Sequence, residues 1–307
     1  MNTTPPPASL AARREALAAA ARWRLPFSRQ AWRGLAGNWM GSGAGSSLDF
    51  QDHRSYLPGD DPRHIHWQAY ARTGALTMKL YRAEVAPIVD VAVDVSPSMS
   101  LTAEKQERTD QLLAFCVECA DRAGAAARVH AVSGQHIRAA SLHEVRSNRW
   151  RERLAFSPAV TGGIPSPGAS SSRAANDGIG PVPWRPNAMK VLISDLLFPS
   201  DPSKVLVPLA AASGLGMILA PALADEADLP WRGNVDLTDC ENGTMRRQRI
   251  DDALATRYHA AYARHFALWR EACRKRGVLF GRIAAEGALS HVLSGEAFQA
   301  GVVEAVS

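Results

Sequence analysis

From residue 88 onward the chain alternates short apolar runs with stretches of helical periodicity. The runs are IVDVAVD (88–94), ARVHAV (127–132), MKVLIS (189–194), LGMILA (215–220) and VLFGRI (278–283). Amphipathic stretches near 103–123, 143–154, 202–213, 250–276 and 295–304 lie between or after them. Strands this short and this apolar bury both faces only when helices cover both sides of the sheet. The alternation therefore predicts an α/β fold, with an open, mostly parallel sheet and helices on both faces. Further strands are expected near 136–140 and, at an edge of the sheet, near 233–239. No internal repeat is visible.

The region before residue 88 is of a different kind. Residues 46–87 are rich in turns and aromatics and predict a small, strand-containing attachment packed on the sheet. Residues 1–45 read as a poorly packed Arg-rich leader ending in GSGAGSS, a flexible joint. A third irregular stretch, 157–187, is dense in Pro, Gly and Ser and predicts a mobile insertion within the 88–307 domain.

Composition narrows the classes. With 307 residues, 46% of them hydrophobic and 21% charged, the chain can bury a sizeable core. The net charge of +5 is local: six Arg stand within 11–33, and nine Lys or Arg within 246–276. Either stretch suits an acidic surface, nucleic acid or lipid headgroups, and either is equally a solvated helix face. Cys116, Cys119, Cys240 and Cys273 are too scattered for a disulfide framework, which fits a reducing, cytoplasmic location. Cys116 and Cys119 fall on one face of a helical pattern and read as core. The charge-free stretch 205–224 has membrane-spanning length, but Pro208, Gly214, Gly216 and Pro221 divide it into a helix, a turn and a buried strand.

Two of the apolar runs end in aspartate: Asp94 opens DVSPSMS, and Asp195 follows KVLIS. In an open parallel sheet, ligands gather beyond the carboxyl ends of the strands. Asp94, Ser96 and Ser98 occupy alternate positions of one such loop, and Asp195 can lie beside them. Paired carboxylates repel, which favours a cation between them, and hydroxyl and carboxylate oxygens suit a hard ion. Asp and Ser in these positions also serve as helix caps, so spacing alone leaves both readings open.

Two motifs together carry a resemblance. D-V-S-P-S-M with a later strand ending in S-D resembles the D-x-S-x-S adhesion site of von Willebrand factor A domains. RSYLPGDDPRHIHWQAYARTGALTMKLYRAE, followed by DVAVDVSPSM, resembles the signature of the bacterial DUF58 family over roughly residues 46–307. That resemblance implies a von Willebrand A-like (Rossmann-like) domain joined to the attachment. It implies one bound Mg²⁺ (or Mn²⁺ or Ca²⁺), with Asp94, Ser96, Ser98 and Asp195 as ligands and Thr161 as the candidate from the third loop. It further implies a MoxR-type AAA+ ATPase as partner, acting with this chain on a client protein in maturation or assembly.

The expected function is thus a non-enzymatic interaction module that binds a partner carboxylate through a metal-ion-dependent adhesion-type site. Two alternatives stand beside it: a basic-surface protein for membranes or nucleic acid, and a metal-dependent hydrolase drawing a base from His53, His64 or His66. No phosphate-binding loop, dinucleotide fingerprint or G-x-S-x-G elbow is present. In the block from Arg54 to Arg72, Pro58-Gly59-Asp60-Asp61-Pro62 reads as a tight turn. Arg54, Arg63 and Arg72 are expected to lock it onto the main domain through Asp60 and Asp61.

Overall fold

The computed structural model describes residues 7–30, 36–151, 178–241 and 243–306. In chain order the first elements are α1 (Pro7–Ala20), β1 (Trp23–Arg24), β2 (Ala36–Ser55), α2 (Trp67–Thr73), β3 (Thr77–Val85) and β4 (Ile88–Asp94). Next come α3 (Ala103–Arg122), β5 (Ala126–Ser133), β6 (His136–Ala140), α4 (Leu142–Arg146), β7 (Met189–Ile193), α5 (Pro202–Ala210) and β8 (Gly216–Ala222). The last are α6 (Ala224–Ala227), β9 (Gly233–Thr238), β10 (Met245–Ile250), α7 (Asp252–Arg276), β11 (Leu279–Ala284), α8 (Leu289–Val292) and β12 (Glu304–Ala305).

Six strands form the central sheet in the order β11-β8-β7-β4-β5-β6. Every pairing is parallel except β5 with β6, a hairpin that closes one edge. The mostly parallel sheet expected from the alternation is present. Its strands divide their side chains between two cores, as period-2 geometry requires. Val89, Val91, Val93, Met189, Val191 and Ile193 face α1 and α3. Ala92, Leu192, Ile218 and Ala220 face α5 and α7, where Leu206, Phe266 and Trp269 are buried. Helices therefore cover both faces. Cys116, Cys119 and Cys273 are core residues, and burial pushes the thiols of Cys119 and Cys273 up to about 12.

Residues 7–30 are not a loose leader. Ala12, Ala16, Ala19 and Ala20 of α1 are buried, and α1 lies along α3, where small side chains let the backbones approach. Glu15 accepts from the Leu289 amide at 2.6 Å and from Gln111 Nε2 at 2.9 Å. Leu25 and Phe27 continue the core, and β1 pairs antiparallel with β12, tying the amino-terminal region to residues 304–305. An Ala-rich face carries little hydrophobic periodicity, so this stretch read as unpacked. The stretch GSGAGSS, expected as a joint, lies within β2, which pairs antiparallel with β3.

The strand expected at an edge of the sheet is elsewhere. β9 pairs with β10 in a separate two-stranded hairpin, and the long helix expected near 250–276 follows it as α7. The helix expected near 143–154 ends at Arg146. The one expected near 295–304 is replaced by α8, a wider turn Leu293–Ala297 broken at Gly295, and β12. Thr161 and residues 157–177 of the expected insertion lie outside the described residues. From Gly178 that stretch is anchored: Val182 is buried, and Arg185 donates to both oxygens of the buried Asp90 at 2.7 Å, through its backbone amide and its Nε.

Candidate functional site at the carboxyl ends of β4 and β7

β4 and β7 are neighbours in register Val93↔Ile193, so Asp94 stands beside Ser194, with Asp195 one residue beyond. All three are buried. Ser194 donates its hydroxyl to Asp94 Oδ2 at 2.7 Å, and the Ser96 amide donates to Asp94 Oδ1 at 2.9 Å. The second bond is an Asx turn, which directs the chain into the short 3-10 turn Pro97–Ser100, where Pro97 supplies the fixed φ of a first helical position. The Ser96 and Ser98 hydroxyl oxygens lie 3.1 Å apart, so the two alternate serines present their oxygens to the same place. Burial pushes the Asp94 carboxyl up to about 6, with the Asp195 charge adding to it and the bonds from Ser96 and Ser194 opposing it.

Asp195 is held differently. Its Oδ1 accepts from the Leu197 amide at 3.0 Å, and its Oδ2 accepts from Lys105 Nζ at 2.7 Å. Lys105, on the first turn of α3, is fully buried and also donates to Glu226 of α6. Burial alone would lower the lysine's pKa, but Asp195 and Glu226 outweigh it, and the net shift is upward. Glu226 Oε2 accepts from the Leu223 amide, and its carbonyl accepts from the Tyr258 hydroxyl. An ion-paired triad, Asp195–Lys105–Glu226, thus links the ends of β7, α3 and α6. Two further contacts fix the loops on each other. The Asp195 amide donates to Met99 Sδ at 3.2 Å, and the ring of His265 donates to the Leu196 carbonyl at 2.8 Å. Leu196 itself adopts a left-handed φ of 59°, a conformation that a branched residue keeps only when its surroundings hold it.

Asp94, Ser96, Ser98 and Asp195 are therefore brought to one edge, while Thr161 lies outside the described residues. Two carboxylates and two hydroxyls are hard donors, and a buried carboxyl pushed up beside a second one gains from a nearby cation. Asp94, Ser96 and Ser98 fit such an ion, and Asp195 is shared with the Lys105 ammonium. Among the described residues, no group of three His, Cys, Asp or Glu side chains is placed to hold a metal. Sequence reasoning missed Ser194, Lys105 and Glu226. The S-D pair at the end of β7 was the only signal for Ser194, and a lysine on a helix gives none for burial. It also missed Glu241, in the β9–β10 turn, whose Oε1 accepts from the Ser98 amide at 3.0 Å.

The turn at 58–62 forms, but its ion pairs are local. Arg54 grips Asp60 through both carboxylate oxygens at 2.7 and 2.6 Å, and Arg63 pairs with Asp61 two residues away. These pairs close the turn on itself rather than onto the main domain. Asp61 falls to about 2, chiefly through the bonds from Arg63. Trp67 is exposed and meets Tyr70 edge to face, so it does not clamp the sheet. His53 and His66 stack, with ring nitrogens 2.9 Å apart.

A mixed α/β domain with a hydroxyl- and carboxylate-lined edge at two neighbouring parallel strands is the class that the fold and site define. The family described as "Protein of unknown function DUF58" matches residues 52–267, and the chain belongs to it. It is 28% identical over 247 residues to the uncharacterized proteins Rv1480 of Mycobacterium tuberculosis and Mb1516 of Mycobacterium bovis, covering 76% of this chain and 73% of each relative. Among solved structures it is similar to the conserved hypothetical protein BatB from Bacteroides thetaiotaomicron, at 14% identity and a TM-score of 0.35 over 70% of this chain and 98% of that one. It is also similar to an aerotolerance-related membrane protein from Bacteroides fragilis, at 17% identity and a TM-score of 0.33 over 68% of this chain and 96% of that one. Among the described residues, no helix of this chain is long and apolar enough to cross a membrane.

Proposed function

We propose that the chain is a non-enzymatic protein-interaction module of the von Willebrand A-like kind, which binds a carboxylate of a partner protein at the Asp94–Ser98 edge. The observation that supports this most directly is the pair of serine hydroxyls, 3.1 Å apart, beside the buried Asp94 carboxylate. One divalent ion, Mg²⁺ or in its place Mn²⁺ or Ca²⁺, would be held by Asp94, Ser96 and Ser98, with Asp195 and Thr161 as the remaining members of the set. When bound, it supplies the positive charge that an incoming carboxylate oxygen meets. The rest is this chain's own work. Ser194 and the Ser96 amide orient Asp94, Lys105 holds Asp195, and the Met99 contact keeps the two loops together.

A hydrolase would need a general base placed over the ion-bound water. Of the candidate bases His53, His64 and His66, His53 and His66 are bonded to each other through their ring nitrogens, which favours binding over hydrolysis. Membership of DUF58 supports a MoxR-type AAA+ ATPase as partner, with a client protein that the pair matures or assembles. The test is calorimetry of this chain against the MoxR-type ATPase of the same genome, in Mg²⁺ and in EDTA. The reading expects binding in Mg²⁺ that chelation and Asp94→Ala each weaken at least about tenfold, the equivalent of ~1.4 kcal/mol. Binding indifferent to both treatments would sink it.

A further inference from the structure

The β9–β10 hairpin is held in place by little apolar burial. Ile250 at its base is buried, Val235 and Gln248 are half-buried as a cross-strand pair, and the other described residues of both strands are exposed. An isolated two-stranded hairpin has little stability of its own, so polar contacts decide where its tip rests. The tip is shaped by Asp239, whose amide donates to the Thr244 carbonyl at 2.9 Å and whose carbonyl accepts from the Gly243 amide at 2.8 Å. Asp239 Oδ1 also accepts from the Glu241 amide at 2.8 Å. That turn delivers Glu241 to a residue 143 positions away in the chain, the Ser98 amide, at 3.0 Å.

We infer that Glu241 is the site's own carboxylate occupant, a tethered ligand on the Ser98 amide that an acidic segment of a partner must replace. The inference rests on the carboxylate-binding reading and adds what controls access to that same site. A carboxylate from within the chain thus already sits on the loop whose serine hydroxyls are the proposed donors to the ion, where an incoming carboxylate must approach. Chemistry that accepts Glu241 accepts another carboxylate, so the two compete for one donor. The incoming segment is acidic for a second reason. Arg246 and Arg249 stand exposed on β10, while Arg247 between them pairs with Asp236 at 2.9 Å. A tethered competitor lowers the apparent affinity of any untethered one by the fraction of time the site is open. Binding would then release the hairpin tip and leave its two strands free to rearrange, coupling capture of the partner to a change at the surface.

The experiment uses the full chain at constant Mg²⁺ and follows the Ser98 amide by NMR during titration with acetate. In Glu241→Ala, the Ser98 amide should exchange with solvent about tenfold faster, and acetate should half-saturate its shift at a concentration several-fold, roughly five- to tenfold, below that for the wild type. Asp236→Asn, which loosens the hairpin but keeps Glu241, should behave as the wild type. Equal half-saturation in wild type and Glu241→Ala would overturn the inference while leaving carboxylate binding at Ser98 intact. An effect of Asp236→Asn as large as that of Glu241→Ala would also overturn it, because hairpin packing rather than the carboxylate would then be responsible. Absence of any acetate response at Ser98 in both proteins would overturn the carboxylate reading and this inference with it.

Discussion

The Lys105 ammonium lies 2.7 Å from Oδ2 of Asp195, in a place where neither side chain meets solvent. An ammonium there costs several kcal/mol of lost hydration, and only the paired carboxylates of Asp195 and Glu226 offset it. The same lysine balances Glu226 and Asp195, the latter beside Asp94, whose own charge is already disfavoured by burial. Lys105 is thus a fixed cation built into the acidic edge.

Lys105→Met should therefore destabilise the fold by about 3–5 kcal/mol, because it strands Asp195 and Glu226 rather than removing a neutral contact. Asp195→Asn should cost less, since Lys105 keeps Glu226. Urea unfolding of both variants checks the order. A lysine variant within about 1 kcal/mol of wild type would show that the triad is more hydrated than its burial indicates.

The amino-terminal helix supplies a second test. Ala19 of α1 is completely buried, on a helix that lies along α3. Ala19→Leu inserts a side chain where there is no room, and overpacking of that kind costs about 1–3 kcal/mol. The exposed Ala11 replaced in the same way should change little. Equal thermal midpoints for the two variants would mean that α1 is not part of the core.

These residues also mark how far the sequence could be read. Five of the six strands of the central sheet were legible because each carries a short, mostly apolar run, a pattern that permits few other placements; β6, HIRAA, is the exposed exception. Asp94 and Asp195 were legible for the same reason, being the first charges after two such runs. α1 was not, since its buried face is alanine and carries almost no periodic signal. β9 and β10 were not, because an exposed hairpin is selected by its turn and its cross-strand pairs rather than by hydrophobic alternation. Lys105 and Glu241 act across 90 and 143 positions of sequence separation, respectively, and no local pattern records a partner that distant.

Acid should expose the strain on Asp94. In chelator, the folded protein keeps that proton up to about pH 6, whereas an unfolded aspartate releases it at the ordinary 3.8. Between those values the folded state binds more protons than the unfolded one, so this group's contribution to stability falls as pH rises from about 4 to above 6. The fall is on the order of 3 kcal/mol at most. Asp94→Asn removes this dependence, so its stability relative to wild type should improve on going from pH 4.5 to 7. Urea midpoints for both proteins at the two values decide it, and parallel curves would show that Asp94 is ionised throughout.

The two serines that touch Asp94 should separate structure from binding. Ser194 is completely buried, donates to Asp94 Oδ2 at 2.7 Å, and accepts from the Leu196 amide at 3.2 Å, holding a residue whose φ is 59°. Ser194→Ala leaves a buried carboxylate oxygen and a buried amide short of a partner, which costs about 1–3 kcal/mol. Ser96 contributes its amide to Asp94 and its hydroxyl to Ser98. Ser96→Ala keeps the amide bond and removes only the hydroxyl, so it should cost well under about 1 kcal/mol of stability. Its affinity for Mn²⁺ should nevertheless fall further than that of Ser194→Ala, because the hydroxyl is a proposed donor to the ion while Ser194 acts by orienting Asp94. Calorimetry with Mn²⁺, run beside urea unfolding on the same samples, reads both quantities. If wild type, Ser96→Ala and Asp94→Ala all bind Mn²⁺ equally, no ion is held at this edge, and DVSPSMS is a turn that starts α3.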